Sequence, residues 1–228
     1  EAIAAPLAAA RHNLKSDTVA PYVAELVRQY MIQTYDEKTY AGGFHVYTTL
    51  NAKHQQAAVN ALHTALLEYD RRHGYRGPAE HVAIRGKPDA MELDDVLKDY
   101  RVVGNLLPGV VLEVGEKSAQ VYTQDGATVE LGWGGLAWAR RYIDENTLGD
   151  TPKTAANVVR PGDIGYLEAV EDPQQLAETG AWRLAQVPEV AGALVALRPG
   201  DGAVLALTGG FDFSQSSFNR VTQAERQP

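Results

Sequence analysis

Val110-Val111-Leu112-Glu113-Val114-Gly115-Glu116-Lys117-Ser118-Ala119-Gln120-Val121-Tyr122-Thr123-Gln124-Asp125-Gly126-Ala127-Thr128-Val129-Glu130-Leu131 decides how this 228-residue chain reads. From Gly109 onward the pattern has a period of two, as in half-buried strands, with strands at Val110–Val114, Ala119–Thr123 and Thr128–Leu131. Gly115-Glu116 and Asp125-Gly126 stand between them as hairpin turns, and Asp-Gly readily supplies the positive φ that a two-residue hairpin needs. Downstream, Asp163–Val170 and Trp182–Val187 read as two more strands, and Trp133–Tyr142 as a short helix or an edge strand. Residues 144–161 read as a polar loop. Five strands and a short helix predict a small Greek-key barrel of the OB type.

The flanks have a different period. Residues 1–20 are Ala-rich and read as a helix tail and linker. Pro21 opens an amphipathic helix, where its missing N–H costs nothing; Tyr22, Val23, Leu26, Val27, Tyr30 and Met31 recur at helical spacing to about Tyr35. Gly42-Gly43 breaks it. Phe44-His45-Val46-Tyr47-Thr48-Thr49-Leu50 is rich in β-branched and aromatic residues and predicts a strand. Asn51 is the expected cap of a second helix with the stripe Ala58, Leu62, Leu66, Tyr69, stopped at His73-Gly74. Tyr75 to Asp89 reads as a loop and Leu93–Tyr100 as a short helix. After Pro188, Ala193–Leu197 and Ala203–Leu207 form a hairpin around Arg198-Pro199-Gly200-Asp201-Gly202. Both arms are apolar throughout, which predicts burial on both faces in a larger sheet. Nothing later in the chain can cover it, so it is expected to be exposed or poorly packed if the polypeptide stops at Pro228.

The chain is therefore α+β. The expected division is 1–41 linker helix, 42–78 strand and helix, 79–190 OB-like domain, and 191–228 the start of a further sheet. Hydrophobic residues make up 45% and charged residues 22%, ordinary globular values. The formal charge of −8 gives no counterion-release affinity for nucleic acid, so none is expected as a partner. Without cysteine there is neither a disulfide nor a thiolate metal site. No apolar run reaches eighteen residues, and no signal pattern opens the chain, so any membrane anchor is expected upstream of Glu1.

Gly209-Gly210-Phe211-Asp212-Phe213-Ser214-Gln215-Ser216-Ser217-Phe218-Asn219-Arg220-Val221-Thr222-Gln223-Ala224-Glu225-Arg226-Gln227-Pro228 resembles the run before the catalytic serine in the class A, bifunctional penicillin-binding proteins. Gly42–Leu50, with Gln55 and Ala58, is similar to the strand and helix that open the transpeptidase portion of that family. Tyr69–Pro78 is similar to the stretch leading into the inserted OB-like domain of the 1A kind. Gly192–Pro228 as a whole looks like the first hairpin of the transpeptidase sheet and the lead to the nucleophile, so 191–228 is expected to be the start of the transpeptidase domain, ending before the nucleophile. The resemblance implies a periplasmic enzyme anchored in the inner membrane. Its upstream domain polymerises glycan strands from lipid II. Its transpeptidase domain cross-links stem peptides through an acyl-serine and is the target of β-lactams. It also implies an outer-membrane lipoprotein activator docked on the OB-like domain, with the remainder of the synthase and peptidoglycan as the other partners.

That chemistry needs a serine and a lysine one helical turn apart, so that the amine can take the hydroxyl proton. The residues three before the seven lysines are His12, Tyr35, Leu50, Ile84, Asp95, Val114 and Asp150, none of them serine. No catalytic residue is expected, and the chain alone is expected to be inactive. Ser217-Phe218-Asn219 and Lys153-Thr154-Ala155 approach the family's second and third motifs. Both precede the place where the nucleophile belongs, so they read as lead-in and loop. Asn219, Arg220, Arg226 and Gln227 are the expected scaffold of the active site, holding the nucleophile helix by hydrogen bonds.

No cofactor and no metal are expected, since no two of the six histidines are three or four apart on a helix. His63 reads as a surface residue and His45 as packing or surface. Paired carboxylates for glycoside chemistry lack a fixed partner, so Glu68, Asp70, Glu92, Asp94 and Asp95 read as solvated faces. Gly132-Trp133-Gly134-Gly135 is no phosphate loop and reads as a bend. Trp133, Trp138 and Trp182 read as core, with a sugar- or base-stacking platform as the other reading. The alternative to the synthase is a stand-alone carbohydrate- or protein-binding OB module, which leaves the match at Gly209–Pro228 without a reason.

Overall fold

The computed structural model describes residues 18–84, 86, 88–170 and 172–225. The linker reading of residues 1–17 and the scaffold residues Arg226 and Gln227 lie outside the described residues.

Helix α1 (Pro21–Tyr35) begins on its proline, as its spacing predicts. The turn α2 (Lys38–Ala41) follows. Helix α3 (Ala52–Arg72) is capped by the Asn51 side chain, which accepts from the His54 N–H at 3.1 Å. Ala58, Leu62 and Leu66 are buried on it. Tyr69 instead faces outward and stacks on His73 at 4.3 Å; the inward position of that turn belongs to Asp70, which is buried and paired with Arg76 rather than solvated as its sequence suggests. The predicted loop after it holds a two-residue strand, β1 (Glu80–His81), and α4 (Ala90–Leu97) starts on an Asp89–Glu92 capping box.

The OB-like domain has the predicted strands. They are β2 (Leu106–Val114), β3 (Ala119–Thr123), β4 (Thr128–Leu131), β7 (Asp163–Ala169) and β8 (Trp182–Ala185), in the order β4-β3-β2-β7-β8, with β1 also on β7. All pairs are antiparallel. Gly126, at φ 86°, turns β3 into β4, the conformation expected of Asp-Gly. The expected barrel is a curled open sheet: β4 lies against β8 without a hydrogen-bonded ladder. The turn α5 (Trp133–Leu136) and helix α6 (Pro173–Thr179) sit at that seam. Gly134 and Gly135 pass so close to Glu178 and Trp182 that any side chain there would overlap backbone oxygens. That approach is what the glycines serve.

Leu131, Leu136, Val121, Leu167 and Leu184 fill the inside, with all three tryptophans packed against them. Trp138 donates to the Leu184 carbonyl at 3.0 Å, so the tryptophans are built into the core side. Outside the sheet, α4 covers Val110, Tyr122 and Ile164 with Leu93 and Leu97. The predicted polar loop carries the small hairpin β5 (Tyr142–Asp144) and β6 (Thr147–Leu148), then a 3₁₀ turn at Ala155–Asn157. Lys153 and Thr154 belong to that turn, their N–H groups both donating to the Asn157 side chain.

Where the chain enters and leaves this domain, one side chain joins the two crossings. Gln186 accepts from the Arg76 N–H at 2.9 Å and donates to the Gly74 carbonyl at 2.8 Å. Arg76 adds bonds to Asp70 at 2.8 Å and to the Val187 carbonyl at 2.7 Å. Leu67, Leu106 and Ala185 fill the space between α3 and the domain.

The last hairpin is β9 (Leu194–Leu197) and β10 (Val204–Thr208), around the predicted turn. Its arms differ. Ala206, Leu207 and Thr208 are buried, because α3 and α1, which precede them in sequence, lie over β10. Val195 and Leu197 are exposed, so only β9 behaves as the expected poorly covered arm. The predicted strand at 44–50 is a correction: the segment is largely exposed and pairs with nothing as a strand. Its hydrogen bond to β10 runs from Thr49 Oγ1 to the Val204 carbonyl, and the Asn51 N–H just after it donates to that of Leu205. The next outward-facing groups of β10 are already taken. Gln55 Nε2 donates to the Leu207 carbonyl and Gln55 Oε1 accepts from the Leu207 N–H, both at 2.9 Å. A helix side chain stands where a neighbouring strand would be.

Candidate functional site

The lead-in after β10 is held at both ends by close approaches. A Cβ on Gly209 would come within 2.5 Å of Asn219 Oδ1, and one on Gly210 would overlap the Tyr22 hydroxyl. The chain thus folds back on itself: the Arg220 N–H donates to the Gly209 carbonyl at 3.2 Å, and the Arg220 guanidinium lies 3.4 Å from the same oxygen. Asn219 is buried and organises the next turn. Its N–H donates to Gln223 Oε1 at 2.7 Å, and its Oδ1 accepts from the Val221 N–H at 3.1 Å. Asn219 Nδ2 is buried with no acceptor among the described residues. Ser217 is exposed and far in chain order from any lysine.

Between these ends lies a second turn built on Asp212. Its Oδ1 accepts from the Ser214 N–H at 2.8 Å, the Gln215 N–H at 3.0 Å and the Ser214 hydroxyl. Its Oδ2 accepts from the Gly104 N–H of the OB-like domain at 2.9 Å. Burial raises the carboxyl's pKa, but these hydrogen bonds outweigh it and hold the group below the usual aspartate value. The Tyr22 hydroxyl of α1 donates to the Ser216 carbonyl at 2.9 Å, and its ring meets Phe213 edge-on at 5.1 Å. Burial lifts the Tyr22 pKa, so the phenol keeps the proton that it donates.

His63 of α3 closes the junction, and its placement is a correction: the ring is buried against Phe211, 4.4 Å between centroids. It faces inward because Gly104, at φ 60°, brings the OB-like domain's loop up to it; a Cβ there would come within 3.0 Å of the imidazole. His63 Nε2 lies 2.6 Å from the Phe211 carbonyl. A carbonyl only accepts, so Nε2 carries the proton in the neutral ring. Burial lowers the pKa, against the opposing pull of the Phe211 carbonyl, Asp212, Asn105 and Glu168.

A group whose folded-state pKa is lowered in this way binds its proton more readily in the unfolded chain. Its contribution to stability is complete above the ordinary value of 6.5 and is lost progressively as pH falls from there toward the lowered folded-state value. Thermal unfolding between pH 8 and 5 is expected to show Tm declining below about 6.5, with His63→Gln reducing that slope. An unchanged slope in the variant would assign the pH dependence elsewhere.

Among the described residues, no group of three or more His, Asp or Glu is placed to hold a metal. No helix among them is long and apolar enough to cross a membrane. Asn219 and Arg220 both belong to the turn that folds back on Gly209. Gln55, Asp212, Gly104 and Tyr22 complete the junction, outside the expected scaffold set. Gln55 had a signal, a polar residue on the stripe of Ala58 and Leu62. Asp212 had another, an acidic residue two before a serine, the pattern of an Asx turn.

Residues 75–190 match the family model described as the penicillin-binding protein OB-like domain. Over 210 residues, the chain is 44% identical to penicillin-binding protein 1A of Escherichia coli (strain K12), covering 91% of this chain and 24% of that protein. The chain belongs to the penicillin-binding protein 1A family. Its penicillin-binding protein 1A relative from Vibrio cholerae is 38% identical across 98% of this chain and 27% of that protein. The crystal structure of penicillin-binding protein 1A from Haemophilus influenzae superposes with a TM-score of 0.77 at 29% identity, covering 97% of this chain and 30% of that one. The match extends well beyond the OB-like domain, so α1, α3 and the lead-in belong to the family's architecture too. The chain spans about a quarter of the length of these penicillin-binding protein 1A sequences.

Proposed function

We propose that this chain is the part of a bifunctional peptidoglycan synthase that carries the inter-domain helix, the OB-like domain and the approach to the transpeptidase nucleophile. In this reading the whole protein polymerises glycan strands with a glycosyltransferase. It cross-links stem peptides with a D,D-transpeptidase that passes through an acyl-serine and is acylated by penicillin. It works in the periplasm from an inner-membrane anchor. The segment itself supplies scaffold, with Asn219 and Arg220, and with them Arg226 and Gln227, holding the nucleophile's approach. The observation that carries the reading is the bracing of the lead-in. The stretch that resembles the approach to the serine is fastened separately to α1, to α3 and to the OB-like domain. Such fixing suits a support for reacting groups, which must be held to within fractions of an ångström.

Intact mass after incubation with a β-lactam tests it. The 228-residue polypeptide is expected to stay at 24.7 kDa, and the complete synthase to gain one drug molecule. Acylation of the short chain, or none of the complete protein, would overturn the reading. We propose in addition that an outer-membrane lipoprotein activator docks on the OB-like domain. In the same preparations, an activator that binds the complete synthase but not the 228-residue chain would remove that part.

A further inference from the structure

The carboxylate of Asp212 is divided between two bodies. One oxygen organises the lead-in's own turn through Ser214 and Gln215; the other takes the N–H of Gly104, which belongs to the loop that opens the OB-like domain's central strand. A planar carboxylate cannot shift toward one set of donors without straining the other. Gly104 is fitted to this contact: its φ of 60° aims the N–H at Asp212, and the absence of a side chain lets Phe211 and His63 pack on it. The carbonyl of Val103 pairs with Leu106 and the N–H of Val103 with the Leu106 carbonyl, so the loop is locked to β2. A displacement of β2 is therefore passed to the loop that carries Gly104. The lead-in has no slack to absorb it, since Tyr22 and His63 grip the residues on either side.

We propose that Asp212 is a positioning residue for the transpeptidase, the point at which the OB-like domain sets the placement of the segment leading to the nucleophile. This rests on the synthase reading above. The chemistry of acylation is unaltered by it. What Asp212 contributes is the register of the lead-in, and with it the fraction of molecules whose nucleophile stands ready.

The test uses the complete synthase and the second-order rate of acylation by a fluorescent penicillin, with Tm measured on each variant. Asp212→Ala is expected to slow acylation about tenfold, the scale of losing one hydrogen bond to a charged group. Asp212→Asn keeps an acceptor for the lead-in's own turn but sets an NH2 donor against the Gly104 N–H, so it is expected to slow acylation nearly as much as alanine while leaving the turn intact. Gly104→Ala, which disturbs the same contact from the other body, is expected to slow acylation by a similar factor. The double variant Gly104→Ala/Asp212→Ala is expected to be no slower than the worse single one, because both remove one coupling. Four results would overturn the proposal: unchanged rates in Asp212→Ala and Gly104→Ala, the parent's rate in Asp212→Asn, fully multiplicative losses in the double variant, or losses that follow Tm alone. A parent protein that takes up no penicillin at all defeats the synthase reading instead, so the two failures are distinct.

Discussion

Replacing Gln55 with leucine is expected to destabilise the fold by about 2–5 kcal/mol, among the largest effects of any single substitution here. The side chain is 1% exposed and makes both of its hydrogen bonds to one residue, Leu207. Leucine fills similar space and leaves a buried backbone N–H and a buried carbonyl without partners, each costing roughly 1–3 kcal/mol. The consequence extends beyond the helix. With the Gln55 amide gone, β10 has open hydrogen-bonding groups on the side away from β9, and the edge becomes a template for another strand. Chemical denaturation of Gln55→Leu should show a lower midpoint, and hydrogen exchange should show lost protection at Leu207. A leucine variant as stable as the parent would show that the Leu207 groups find other partners.

Gly162→Ala is the second large effect, at about 3 kcal/mol or more. Gly162 lies in the turn before β7 at φ 90°, a backbone state that side chains resist, and an added Cβ would overlap the Val82 carbonyl. Relief by backbone movement is blocked, because the Gly162 N–H is bonded to Val111 at 2.8 Å and its carbonyl accepts from Val82 at 2.9 Å. The variant is expected to unfold the OB-like domain before the α3–β10 portion, seen as early loss of near-ultraviolet tryptophan signal. All three tryptophans lie in that domain, which makes the readout specific. A single unfolding transition at the parent's midpoint would contradict it.

The parts of the fold that were legible in the sequence are those in which local chemistry and tertiary demand agree. Asp125-Gly126 turns a hairpin in any surroundings, Asn51 caps a helix wherever one follows, and Pro21 begins one. The errors lie where a distant partner decides. Phe44–Leu50 has strand composition, but a strand needs an open edge, and Gln55 already occupies the one beside it. His63 carries the ring of a surface residue on a helix; it is buried because a glycine more than forty positions later leaves room for it. The seam between β4 and β8 depends on glycines that admit α6, a helix short enough to leave little periodic signal. For the site, the lead-in could be found by its resemblance, whereas the residues that brace it could not. Bracing joins positions 22, 63, 104 and 212, and nothing in one-dimensional order marks them as neighbours.

The Gln186 clasp has a consequence for chain entropy. It holds Gly74 and Arg76 within hydrogen-bond reach of the point where the chain returns, so to the rest of the molecule the whole OB-like domain is a closed loop. The cost of closing a loop grows only with the logarithm of its length: doubling the number of residues between two tethered ends costs about 0.6 kcal/mol. The host fold is thus nearly indifferent to how much polypeptide hangs between these two crossings. Strands or hairpins could be gained or lost there, as β5 and β6 are appended here, while the helix and hairpin on either side keep the same separation and the same partners.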